Sequence, residues 1–174
     1  MLNINQAAPS FEGVKAYHQG EFKEISLSDY AGRWLVLFFY PRDFTFVCPT
    51  ELRGFAKQEE EFKALGCDIL AASTDSEWSH KNWFEKDLPE LKYPVLADTT
   101  QNLAKAYGVL NENDGSADRG LFIIDPEGKI KYIVVSAGSV GRSVTETLRV
   151  LKAVQSGDLC PLEWHEGEKT LGHA

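Results

Sequence analysis

One apolar run, Trp34-Leu35-Val36-Leu37-Phe38-Phe39-Tyr40, most narrows what this chain can fold into. It has the length of a strand and no polar alternation, which suits a strand buried on both faces of a layered domain. Pro41 ends it. After a short loop comes Cys48-Pro49-Thr50-Glu51. Proline suits the first turn of a helix, where its missing N–H costs nothing, and a carboxylate there meets the positive end of the helix dipole. Cys48 is therefore expected where a buried strand has ended and a helix begins. Unpaired backbone N–H groups at such a place favour thiolate over thiol. The plainer alternative is a small buried cysteine in the core.

Around this stretch, strands and helices alternate. Val14 to Ile25 reads as a hairpin turning at Gln19-Gly20, and Ser26 to Gly32 as a single helical turn. Leu52, Phe55, Ala56, Phe62 and Leu65 recur at helical spacing, so a helix is expected from Thr50 to Leu65, with Glu59, Glu60 and Glu61 near its solvent side. Cys67 to Thr74 reads as a second buried strand, with Cys67 a structural thiol at its edge. Ser76 can cap a helix from Glu77 to Lys86 carrying Trp83, which could be core or interface. Tyr93 to Ala97 is a short strand. Asp98 or Thr99 can cap a helix with Leu103, Ala104 and Tyr107, stopped at Gly108. Arg119-Gly120 opens the strand Leu121 to Ile124, and Asp125-Pro126-Glu127-Gly128 turns it into a hairpin with Ile130 to Val135. A last helix runs from Ser143 to Ser156-Gly157. The pattern predicts an α/β domain over residues 1–157, a central mixed sheet with helices on both faces, and a polar tail over residues 158–174. In such sheets ligand chemistry gathers at strand ends that lead into helices, where Cys48 lies.

Composition removes several functions. The 174 residues suit one domain, and the formal net charge of −8 argues against a nucleic-acid or anionic-membrane partner. No apolar run is long enough to span a membrane, and Met1 to Gln6 lacks the basic-then-apolar pattern of a signal peptide, so a cytoplasmic location is expected. Cys48, Cys67 and Cys160 are too few and too far apart for a secreted disulfide scaffold. His18, His80, His165 and His173 share no metal-ligand spacing with one another or with the cysteines, so neither a metal nor a cofactor is expected.

Three features converge. Pro41-x-x-x-Thr45-x-x-Cys48-Pro49-Thr50-Glu51 lies between strand and helix, Arg119 opens a later strand, and a second Cys-Pro stands at Cys160-Pro161. With Gly141-Arg142-Ser143 and Cys160-Pro-x-x-Trp164, this pattern resembles the peroxiredoxins over nearly the whole chain. The likeness is to their typical two-cysteine branch, which includes the peroxidase component of bacterial alkyl hydroperoxide reductase. It implies an elaborated thioredoxin-like fold and a thiol peroxidase. Cys48 would be the peroxidatic cysteine and Cys160 the resolving one, supplied by a second protomer. Thr45 would hydrogen-bond thiolate and peroxide, Arg119 would hold both, and Pro41 would shield the site from water. Glu51 and Arg142 would orient the arginine network. Thioredoxin or a dedicated flavoprotein disulfide reductase would return the electrons, and dimers would build decamers. The chain departs from peroxidation-sensitive members. Their Gly-Gly-Leu-Gly is replaced by Asn113-Asp114-Gly115-Ser116, and no Tyr-Phe follows Cys160. Resistance to overoxidation is therefore expected.

Singly, Thr45 could be a loop hydroxyl, Arg119 an ion-pair partner and Cys160 a bystander. A dithiol oxidoreductase on the same fold would need two neighbouring cysteines, which the sequence lacks. A holdase or peroxide-signalling role is compatible with the peroxidase reading. Chemistry sets one further expectation. An ordinary cysteine is about 3% thiolate at pH 7, so complete ionisation gains about 30-fold, and falling nucleophilicity takes back much of that. A fast peroxidase therefore needs hydrogen-bond donors aimed at the breaking O–O bond.

Overall fold

The computed structural model describes residues 2–173. The chain forms two compact units, Met1–Arg142 and Ser143–Ala174. The first is built on a seven-stranded sheet. Its strands are β1 (Val14–His18), β2 (Glu21–Ile25), β3 (Trp34–Phe39), β4 (Cys67–Ser73), β5 (Val95–Ala97), β6 (Arg119–Ile124) and β7 (Ile130–Ser136). Their spatial order is β2-β1-β5-β4-β3-β6-β7. Strand β3 runs parallel to β4, and β4 parallel to β5; the other neighbours are antiparallel. The parallel pairs need crossovers, which α1 (Cys48–Ala64) and α2 (Glu77–Asp87) supply.

The apolar run at β3 is central, and both of its faces are covered. Leu35, Leu37 and Phe39 join a cluster with Leu70, Ala72 and Phe122, and with Leu103 and Ala104 of the short helix α3 (Asn102–Ala106). Alternate residues point the other way. Phe38 stacks on Phe55 of α1 with ring centres 4.3 Å apart, and Tyr40 lies 6.4 Å from Trp83 of α2. Trp83 is buried in this unit, which resolves its two sequence readings in favour of the core. The mixed sheet with helices on both faces is the architecture expected from the alternation.

Local details differ at two helix starts. Helix α1 begins at Cys48 and not at Thr50, because the Val47 carbonyl already accepts the N–H groups of Thr50 (3.0 Å) and Glu51 (3.4 Å). Asp98 caps α3 from a distance. Its carboxylate accepts from Leu103 N (3.1 Å) and Ala104 N (2.7 Å), while Gln101 takes a left-handed conformation to start the helix.

The second unit contains α4 (Val144–Ser156), capped by Ser143 Oγ and ended by Gly157 at φ 70°. Residues 158–173 do not trail away from it. Arg149 donates to the Trp164 carbonyl at 3.0 Å, and the two ends of the segment are tied by Leu159 N to Gly172 O and Leu171 N to Leu159 O. The sequence pattern places the boundary after residue 157; the compact unit starts at Ser143 because the tail packs with α4. Among the described residues no helix is long and apolar enough to cross a membrane.

The Phe38–Phe55 stack fixes where α1 lies on the sheet. Replacing Phe55 by Ala is expected to lower stability by about 3–5 kcal/mol, read from urea unfolding of the purified chain. A loss below about 1 kcal/mol would show that the stack does not hold the helix.

Candidate active site

Strand β3 delivers the chain to one end of the sheet, and the loop 41–47 turns it back into α1. Cys48 is the first residue of that helix and is 1% exposed. Its neighbour in space comes from β6. Because β6 runs antiparallel to β3, it starts where β3 ends, and its first residue, Arg119, projects at the same end of the sheet. Arg119 Nη1 donates to Cys48 Sγ at 3.4 Å and to Glu51 Oε2 at 2.6 Å; its Nε donates to the Gly138 carbonyl at 2.9 Å.

Glu51, one turn after Cys48 on α1, joins two arginines. Arg142 donates to Glu51 Oε1 from its backbone N (2.8 Å) and Nε (2.7 Å), and to Oε2 from Nη2 (3.0 Å). Its Nη1 donates to the Gly120 carbonyl at 2.6 Å, and its guanidinium sits 5.3 Å over the Phe38 ring. The side chains of Glu51, Arg119 and Arg142 are all nearly excluded from solvent. Burial alone would raise the Glu51 carboxyl, but the hydrogen bonds and charge of Arg142, with the charge of Arg119, outweigh it and hold the group below its ordinary value. One carboxylate against two guanidiniums leaves one uncompensated positive charge. Arg119 presents that charge to Cys48 Sγ, so a thiolate there would make the buried cluster neutral.

The loop between β3 and α1 is anchored by a group that sequence reasoning missed. Asp43 is buried and accepts from Tyr40 Oη (2.7 Å) and Ser79 Oγ (2.7 Å), while its own N–H donates to Asp75 Oδ2 (2.7 Å). His80 Nδ1 lies 2.8 Å from Asp43 Oδ2, and His80 Nε2 lies 3.1 Å from the Leu96 carbonyl. No spacing in the sequence announces this pair; residues 43 and 80 meet only through the fold.

The remaining expected residues fall as follows. Thr45 is exposed, and its hydroxyl donates to the Arg42 carbonyl at 2.9 Å. Pro41 is half-buried at the start of the loop. Cys160 belongs to the second unit and is half-buried. Its Sγ lies 3.4 Å from Ser156 Oγ and donates to the Ala153 carbonyl at 3.7 Å. Cys67 is buried, and burial followed by the Asp68 charge pushes its thiol up to about 12, as expected of an inert structural cysteine.

Glu51 links the cluster to stability. Its folded-state value is depressed, so its contribution is present above the ordinary carboxyl range and is lost as pH falls through the folded value. Replacing Glu51 by Gln strands two buried guanidiniums and is expected to cost about 3–5 kcal/mol at pH 7. In urea melts across pH the gap between wild type and Glu51→Gln should narrow below about pH 4.5. A gap independent of pH would contradict the charged role of Glu51.

The AhpC/TSA family model matches residues 4–133. A Clostridium pasteurianum protein named as a peroxiredoxin of a rubredoxin operon is 50% identical, covering 97% of this chain and 98% of that protein. The reduced 2-Cys peroxiredoxin of Plasmodium vivax superposes with a TM-score of 0.92 at 32% identity, covering 98% of this chain and 93% of that one. Enterococcus faecalis AhpC gives a TM-score of 0.88 at 40% identity, covering 92% of this chain and 100% of its own. With a thiol under a buried arginine at the head of a helix on this sheet, the chain belongs to the AhpC/TSA family, as a peroxiredoxin of the typical two-cysteine, AhpC-like kind.

Proposed function

We propose that the chain reduces hydrogen peroxide and alkyl hydroperoxides, with Cys48 as peroxidatic nucleophile and Cys160 of a second copy as resolving thiol. The observation that carries the reading is the Arg119 donor on the buried Cys48 sulfur, 3.4 Å away, within a cluster whose charge a thiolate completes. The Cys48 thiolate attacks one peroxide oxygen. The O–O bond breaks, the electron pair leaves with the other oxygen, and a proton converts it to water or an alcohol. The product is a Cys48 sulfenic acid. Arg119 can follow the developing negative charge on the leaving oxygen, because its guanidinium is already fixed by Glu51 and Gly138 and need not reorganise. Arg142 acts through Glu51, keeping that carboxylate pointed at Arg119. Thr45 takes part by exchanging its bond to the Arg42 carbonyl for a peroxide oxygen. Pro41 and the loop behind it limit water access.

Cys160 then attacks the sulfenic sulfur, expelling water and forming a Cys48–Cys160 disulfide. A disulfide needs its sulfurs about 2.05 Å apart, and a thiol buried like Cys48 cannot receive a second sulfur without movement of its helix turn. Cys160, on the tail segment 158–173, reaches Cys48 from another protomer in this reading, so the working form is at least a homodimer and by family likeness a decamer. The disulfide is catalytic and transient, returned to thiols by a dithiol protein such as thioredoxin or by a flavoprotein disulfide reductase, in the cytoplasm. Antioxidant defence is the physiological role that follows.

Peroxide consumption coupled to a thiol reductant should vanish in Cys48→Ser. In Cys160→Ser the first turnover should survive, with the sulfenic acid trapped by dimedone, while the reducible dimer band on non-reducing gels disappears. Persistence of that band in either variant would sink the intersubunit disulfide. Thr45→Val should slow the peroxide step by about 10²–10³-fold, the size of a lost transition-state donor. A loss below about tenfold in stopped-flow traces would remove Thr45 from the reaction.

A further inference from the structure

At the end of the sheet far from the thiol, the first unit holds a cavity of about 260 Å³. Leu35 and Ile124, a cross-strand pair at the start of β3 and the end of β6, line it. Cys48 and Arg119 belong to the opposite ends of those two strands. Phe11, Leu27 and Pro126 add apolar wall. The walls are tied to one another through the backbone. Leu27 N donates to the Phe11 carbonyl at 3.0 Å, and Gly32 N to the Pro126 carbonyl at 3.0 Å. A concave, mostly apolar, pre-formed space with a few polar groups is what a small-molecule site requires.

Size and charge narrow the ligand. A cavity of about 150 Å³ is enough for benzene, so this one has room for a benzene-sized ring and a short arm. Three carboxylic residues line it, Glu12, Asp125 and Glu127. Asp125 is already engaged: Oδ1 accepts from Glu127 N (3.0 Å) and Lys129 N (2.8 Å), and Oδ2 faces Lys131 Nζ at 3.4 Å. Glu127 pairs with Lys129 at 2.8 Å. Glu12 is exposed, and among the described residues no hydrogen bond or ion pair engages its carboxylate. The lining arginine, Arg33, is held by Asp68 (2.7 Å) and the Asp29 carbonyl (2.7 Å) and lies over the Tyr30 ring. An anion entering here meets Glu12 and no free cation. A neutral molecule leaves Glu12 unanswered.

We propose that this cavity binds a small primary amine carried on a ring-sized apolar body, with the ring against Leu35 and Ile124 and the ammonium on Glu12. Burial of the ring supplies most of the affinity, because an exposed ion pair adds only a few-fold. Glu12 selects among ring-bearing molecules by their charge. The site is separate from the peroxidase reading, since the thiol and the cavity lie at opposite ends of β3 and β6.

Phenethylamine is the probe, a phenyl ring on a two-carbon arm ending in ammonium. Isotope-labelled full-length protein is titrated with it, with hydrocinnamate, which has the same ring and arm but the opposite charge, and with phenethyl alcohol as the neutral match. The amine is expected to shift the backbone amide resonances of Gly32, Glu127 and Gly128 saturably. Hydrocinnamate should bind at least about tenfold more weakly, and the alcohol about three- to five-fold more weakly. Glu12→Gln should weaken the amine about three- to five-fold and leave the alcohol unchanged. Ala31→Leu, at an exposed residue of the lining, should abolish binding by filling the space. If Ala31→Leu does not fold, Glu12→Gln decides alone. Equal affinity for amine and hydrocinnamate, an amine affinity untouched by Glu12→Gln, or saturable shifts that persist in a folded Ala31→Leu would each overturn the assignment, as would the lack of any saturable shift at millimolar amine.

Discussion

The buried union of Glu51 with Arg119 and Arg142 is the interaction on which the rest of the site depends. It joins a helix, a strand and the segment that follows β7, three pieces that meet nowhere else in sequence. Removing such charges from water is costly, and their attraction offsets that cost only when nearly every lone pair and proton is matched. Glu51 meets that condition. Its two oxygens accept from Arg119 Nη1 and from three nitrogens of Arg142. A fold that tolerates two buried guanidiniums against one carboxylate keeps a standing positive charge in its interior. The sulfur that can answer that charge is the one Arg119 already touches.

Topology makes that union possible. Strands β3 and β6 are antiparallel neighbours, with Phe38 opposite Leu121, so β3 ends where β6 begins. Arg119 thus needs no long reach to meet the first turn of α1. Gly120, next to it, allows close packing: a Cβ there would sit 2.5 Å from Val109 Cγ1. The same arrangement leaves the Gly120 carbonyl free for Arg142. The site is therefore assembled by the sheet, and the helix only presents the thiol to it.

Much of this is legible in the chain before any coordinates, and the division follows a physical line. The β3 run, the Cys-Pro start of α1, the hairpin β6–β7 and the capped ends of α2 and α4 are written in local pattern, because burial on both faces, proline and caps each leave a mark within a few residues. Cys48 and Arg119 are legible as a pair only through family likeness. Asp43 and His80 leave no mark, since a buried polar contact across 37 positions has no periodicity to betray it. The tail after Gly157 reads as separate for a related reason: polar composition suggests solvent, yet Trp164 is buried and the Arg149 and Leu159 contacts fold the segment back on α4. Thr45, expected at the thiol, instead gives its hydroxyl hydrogen to the Arg42 carbonyl in the resting site.

That last difference bears on how the site works. An ordinary cysteine gains only about 30-fold from complete ionisation, so a fast thiol peroxidase needs donors that act on the peroxide. Arg119 is fixed in advance by Glu51 and Gly138, while Thr45 belongs to the weakly held stretch between Asp43 and Glu51. In the reaction proposed above the two donors therefore differ in kind, one fixed by a buried ion pair and one on an exposed loop. In the proposed reaction the peroxide would therefore meet one donor already in place and one whose hydroxyl must first leave the Arg42 carbonyl.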